Sequence, residues 1–131
     1  MGAWGTGSFE NDDAADWVGK LGTITPDVLT KVLVRAADDP AYLEAPAASA
    51  AVAAGEVVAA LNGSVAEGAP AAIADWAKKH PKAFTPELKA LAMRTLDRVR
   101  KNSELKDLWM EADGLNEWIG AMRELQARLE R

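Results

Sequence analysis

The chain has 131 residues, a net charge of −5 and no cysteine. That leaves room for one domain with a disulfide-free core, and it excludes thiolate catalysis and zinc–thiolate sites. An acidic chain without a dense basic block is also a poor binder of phosphate backbones, so no nucleic-acid partner is expected.

The charge is unevenly placed. Residues 1–65 hold nine acids against three bases, a net of −6, and residues 66–131 hold eleven acids against twelve bases, a net of +1. The two halves are expected to attract each other where they pack. No basic residues precede an apolar run at the amino end, and the Ala-rich stretch 45–61 is too short for a membrane span and carries Glu56. The expected location is cytoplasmic, with no membrane partner.

The opening stretch 2–17, GAWGTGSFENDDAADW, puts glycines and aromatics ahead of a run of acids. Residues 1–10 read as an irregular anchor segment in which Trp4 and Phe9 insert into the core while the glycines let the backbone lie close to other helices. On that reading Trp4→Ala costs about 3 kcal/mol or more. Helix one is expected from Asn11 or Asp12 to Leu21, closed by Gly22.

Helix two has an explicit start in Thr25-Pro26-Asp27, flanked by Ile24 and Leu29 at the spacing of a hydrophobic staple. It should stop near Asp38-Asp39-Pro40. Tyr42 and Leu43 fall in a connection, and Pro46 opens helix three, which ends before Asn62-Gly63. Small residues at Ala47, Ala51, Gly55 and Ala59 make a ridge without bulk and place this helix at the centre of the fold.

Helix four carries Ile73, Trp76, Ala77 and His80 on one face. Helix five starts at Thr85-Pro86-Glu87 and buries Leu88, Leu91, Ala92, Leu96 and Val99. Helix six follows Asn102-Ser103 with Leu105, Leu108, Trp109 and Ala112 on its stripe, and Asp113-Gly114 breaks it. Helix seven carries Leu115, Trp118, Ile119, Met122, Leu125 and Leu129 to the end. No segment alternates at period two, so the expected fold class is all-α: a compact single-domain bundle of six or seven short helices, spanning 1–131. Ala15-Asp16-Trp17 before Ile24-Thr25-Pro26-Asp27 has a counterpart in Ala74-Asp75-Trp76 before Phe84-Thr85-Pro86-Glu87. Because Thr-Pro-acid is a common helix opening, independent origin is favoured over duplication.

Candidate sites are few. Gly5-Thr6-Gly7-Ser8 lacks the preceding strand and following lysine of a phosphate loop. Glu10, Asp12, Asp13 and Asp16 have the wrong order for an EF-hand, and acids in a first helical turn already serve its exposed amides and dipole. Glu56 is read as a half-solvated residue at an interface edge rather than a buried acid or base. His80, the single histidine, and the tryptophans are read as packing residues. Arg94, Arg98 and Lys101 line one face of helix five, either as a solvated stripe with pairs such as Asp97 to Lys101, or meeting an acidic protein or this chain's own acidic half.

The opening MGAWGTGSFENDDAADW, together with DPAYLEAPAASAAVAAGEVVAAL and LDRVRKNSELKDLW, resembles the bacterial family known as domain of unknown function 4259. The resemblance spans nearly the whole chain; Ser8 departs from the proline expected there. It implies a small stand-alone bacterial protein and carries no activity with it. The favoured function is a non-enzymatic interaction or regulatory module for a protein partner, needing no cofactor or metal. Its binding residues would be drawn from Trp4, Phe9, Glu10, Asp12, Asp13, Asp16, Arg94, Arg98 and Lys101. The alternative is a carboxylate- or metal-dependent enzyme using the amino-terminal acids, Glu44 and Glu56, which requires several of them to converge.

Overall fold

The computed structural model describes residues 3–131. Met1 and Gly2, the first two residues of the expected anchor, lie outside the described residues. Among the described residues the chain forms seven α-helices and no strand. They are α1 (Asp12–Gly19), α2 (Pro26–Asp38), α3 (Ala45–Leu61), α4 (Ala71–Lys79), α5 (Pro86–Lys101), α6 (Glu104–Glu111) and α7 (Leu115–Glu130), with a 3₁₀ turn at Leu21–Thr23.

Four helices begin on side chains that satisfy amides left open in a first turn. Asn11 Oδ1 accepts from the Ala14 amide at 2.8 Å and Thr25 Oγ1 from Val28 at 3.2 Å. Thr85 Oγ1 accepts from Leu88 at 3.0 Å and Ser103 Oγ from Lys106 at 3.1 Å. Ile24 and Leu29 bracket the α2 cap as expected, with Leu29 fully buried and Ile24 packed on the core. One boundary differs. The Lys20 amide closes on the Trp17 carbonyl, α1 ends at Gly19, and Leu21 turns inward at the start of the 3₁₀ turn, so Gly22 is not the stop.

The centre is α3. Every residue from 51 to 60 is buried, and α1, α2, α4, α5, α6 and α7 all touch this helix. The bulk-free ridge has its expected consequence at Gly55, where a Cβ would stand 3.3 Å from both terminal methyls of Leu96 on α5. The helix ends where Gly63, with φ of 82°, turns left-handed; its amide bonds the Ala60 carbonyl and that of Ser64 the Ala59 carbonyl. The α1–α2 and α4–α5 pairs both lie on α3, and α2 and α5 also pack on each other.

The remaining stripes are narrower than the sequence pattern predicts. Trp76 and Trp118 are buried, whereas Trp17 and Trp109 are half-buried against the core. His80 is half-buried too. It caps the end of α4 with its ring centroid 4.2 Å from that of Trp76, a packing role at the rim rather than within the buried stripe. Ala112 is exposed because α6 stops one residue before it. The α2–α3 connection is tied to α6 twice: the Leu43 carbonyl accepts from the Glu104 amide at 2.8 Å, and Tyr42 Oη donates to Asp107 at 2.5 Å. That hydrogen bond to Asp107 pushes the Tyr42 hydroxyl up to about 12.

Candidate functional site

The amino-terminal segment is a loop closed on itself. Ala3 pairs with Asn11 in an isolated bridge, the Trp4 amide donates to the Glu10 carbonyl at 3.0 Å, and the Glu10 amide to the Gly7 carbonyl at 3.1 Å. The Glu10 carboxylate folds back to accept from the Gly7 amide at 3.1 Å. It fills the space that side chains at Gly5 and Gly7 would need, since a Cβ at either would collide with its oxygens. The loop backbone from Gly5 to Ser8 faces Val52, Leu105, Trp109, Trp118 and Met122 across a hollow of about 20 Å³.

This arrangement corrects the anchor reading at its most conspicuous residue. Phe9 packs on the core, but Trp4 is 62% exposed. The physical reason is how the loop backbone sits on the helices. It lies over the core closely enough that Trp109 and Trp118, from α6 and α7, supply the aromatic bulk beneath it, and no space remains for a third indole.

Glu56 requires a second correction. It is 3% exposed, not half-solvated, and its α3 neighbours Ser49, Ala53 and Ala60 are buried with it. A carboxylate at such depth needs a partner, and α7 provides one. Arg128 Nη1 donates to Glu56 Oε1 and Nη2 to Oε2, each at 2.9 Å, in a two-pronged pair. Arg128 Nε donates to Glu124 at 2.6 Å and Nη1 also to the Ser64 carbonyl at 3.0 Å, while Ser8 Oγ of the loop donates to Glu56 Oε2 at 2.6 Å. Burial works against the guanidinium charge, and the bonds to Glu56 and Glu124 more than offset it, so the Arg128 pKa lies above its ordinary value.

Above this network opens a hollow of about 420 Å³, walled by Phe9, Ala66 and Ala121 and rimmed by Glu10, Glu67 and Glu124. Its rim carries more negative charge than Arg128 neutralises, so it suits a positively charged side chain or amine. Among the described residues no three His, Asp or Glu side chains gather to hold a metal ion.

The other singled-out residues are dispersed. Asp12, Asp13 and Asp16 are exposed on α1, the first two in its opening turn beneath the Asn11 cap. Glu44 stands exposed before α3 and makes no side-chain cap bond. Arg94 pairs with Asp38 at the end of α2. Arg98 Nη1 donates to the Asp39 carbonyl at 2.7 Å, and its Nη2 to that of Ala41 at 2.9 Å. Both arginines therefore meet the chain's own acidic half, and Lys101 is left exposed beside them. Asp97 pairs with Arg100 at 3.1 Å rather than with Lys101; the hydrogen bond from Gln126, followed by the one from Arg100, lowers its pKa.

Arg128, Glu124, Ser64 and Glu67 were not singled out from the sequence. One signal was present: Arg128 falls on the apolar stripe of α7 beside Leu125 and Leu129, and an arginine there demands a buried anion.

No helix among the described residues is long and apolar enough to cross a membrane. No curated protein and no solved structure matches the chain. A family model does, over residues 2–121, and the chain therefore belongs to the family described as domain of unknown function 4259.

Proposed function

We propose that the protein is a non-enzymatic interaction module that binds a basic protein partner in a regulatory or inhibitory role. Its docking surface is the exposed Trp4 and the acidic amino end of α1. The observation that carries this reading is the indole, 62% exposed on a loop that its own backbone hydrogen bonds hold closed. An aromatic side chain presented on a preordered support loses little entropy on binding and is the residue type that most often dominates an interface. The exposed Glu10, Asp12, Asp13 and Asp16 follow it in sequence, and the −6 charge of residues 1–65 steers a basic partner to this half. The carboxylate-dependent alternative needs Glu56 to exchange protons with a ligand, whereas both of its oxygens hold Arg128 and one also holds Ser8.

Photo-cross-linking in cells that express the protein tests this. A cross-linking side chain at exposed Ala15 on α1 should capture one basic protein, and the same group at exposed Val34 on α2 should not. Trp4→Ala should weaken capture tenfold or more, as for a central aromatic anchor. Because the ring is exposed, it should change stability by no more than about 0.5 kcal/mol. Equal capture from both positions, or capture indifferent to Trp4→Ala, overturns the reading.

A further inference from the structure

A groove lies at the opposite end of α1, between the start of α2 and the α4–α5 turn. Its hollow of about 450 Å³ is lined by Pro26, Lys79, His80, Pro81, Lys82 and Ala83. Two prolines and an alanine give it rigid apolar walls, both lysines are exposed, and no carboxylate lines it. The region is braced from below: the His80 ring packs on Trp76, whose Nε1 donates to the Ile24 carbonyl at 2.8 Å. The groove is thus preformed for an aromatic group carried on an acidic segment.

We propose that its occupant is the Trp4 loop of a second copy of this chain, so that the protein associates head to tail. This rests on the reading of the Trp4 surface as a docking surface and names one thing it docks to. Charge complementarity carries the choice. The Trp4 amide bonds the Glu10 carbonyl, Asp12 and Asp13 follow in the first turn of α1, and the groove answers with Lys79 and Lys82 around apolar walls large enough for an indole. One molecule cannot make the contact with itself. The loop is pinned at the amino end of α1 by the Ala3–Asn11 bridge, and the groove begins beyond its carboxyl end, with about 12 Å of helix between.

Each copy offers one loop and one groove, so the contact is heterologous and gives chains or rings rather than a two-fold dimer. A single indole covers about 150–250 Å², well below the roughly 800 Å² per partner of a standard interface, so association is weak. The same indole serves a basic partner, and the two associations exclude each other.

Sedimentation from about 10 μM to about 1 mM tests the proposal. At about 0.05 M salt the mean mass of the wild type should rise by about half across that range, and at about 1 M salt it should stay that of one chain. Trp4→Ala and Lys79→Glu/Lys82→Glu should each remain single chains, with Lys82→Glu alone as the milder variant. Mixed in equal amounts, they should form species of two chains and nothing larger, because each retains one competent surface. A wild type that never associates, association that survives Trp4→Ala, or variants that fail to pair on mixing overturns the proposal. If Ala15 still captures a basic protein in that event, the docking reading stands without it. Trp4-dependent association with no such capture supports self-docking and removes the basic partner.

Discussion

Glu56 is the one ionisable side chain among the buried residues of α3, and its fate is set by Arg128. Replacing Arg128 with methionine keeps an unbranched apolar stem, removes the guanidinium end and strips Glu56 of its counter-charge. Arg128→Met should therefore cost about 3–5 kcal/mol by urea denaturation. Combining it with Glu56→Leu should restore most of that, because a buried pair replaced by packed apolar groups is often neutral or better. A loss under about 1 kcal/mol for the single variant would show that water reaches the carboxylate. The pairing was half legible: a glutamate amid valines and alanines announces a need, but which cation answers it depends on how α7 crosses α3. Trp4 was less legible still. Flanked by glycines, it has no periodic neighbours to say which side faces inward.

At the scale of the helices, spacing and caps carried most of the fold. Asn11, Thr25, Thr85 and Ser103 all cap as their residue types predict, and the small ridge of α3 puts it at the centre. The contact between Gly55 and Leu96 makes that ridge testable. Gly55→Val should destabilise by about 1–3 kcal/mol in a thermal or chemical melt, since its two γ-methyls must enter space that Leu96 occupies. A neutral result would mean that α5 can slide off the ridge. Where α6 ends, the sequence misleads about which residue does what. Asp113, with φ of 59°, takes the left-handed position, and Gly114 is small because a Cβ there would come within 2.6 Å of the Trp109 ring. Composition marks the break, whereas the division of labour follows from how Trp109 packs.

For the molecule as a whole, the uneven charge of the two halves is partly spent on internal cohesion. Arg98 gathers carbonyls at the end of α2 and in the connection after it, and Arg94 pairs with Asp38 beside them. These two arginines should differ in weight. Arg98→Ala should cost about 2 kcal/mol, given charge-assisted bonds to several carbonyls, and should respond little to salt. Arg94 and Asp38 are each 54% exposed, so Arg94→Ala should stay within about 1 kcal/mol. Equal losses from the two would show that net charge, rather than these bonds, holds the halves together. The acids around Trp4 take no part in this clasp, which leaves that end of the molecule with its charge uncancelled.

Residues 8, 56 and 128 meet at a single carboxylate. A nascent chain still on the ribosome has made its central helix long before the guanidinium that completes it is translated. Until α7 emerges, that helix carries an anion it cannot bury without a counter-ion. The interior closes only once α7 has been made, so a fragment that stops before residue 128 should be cut by added protease faster than the full chain.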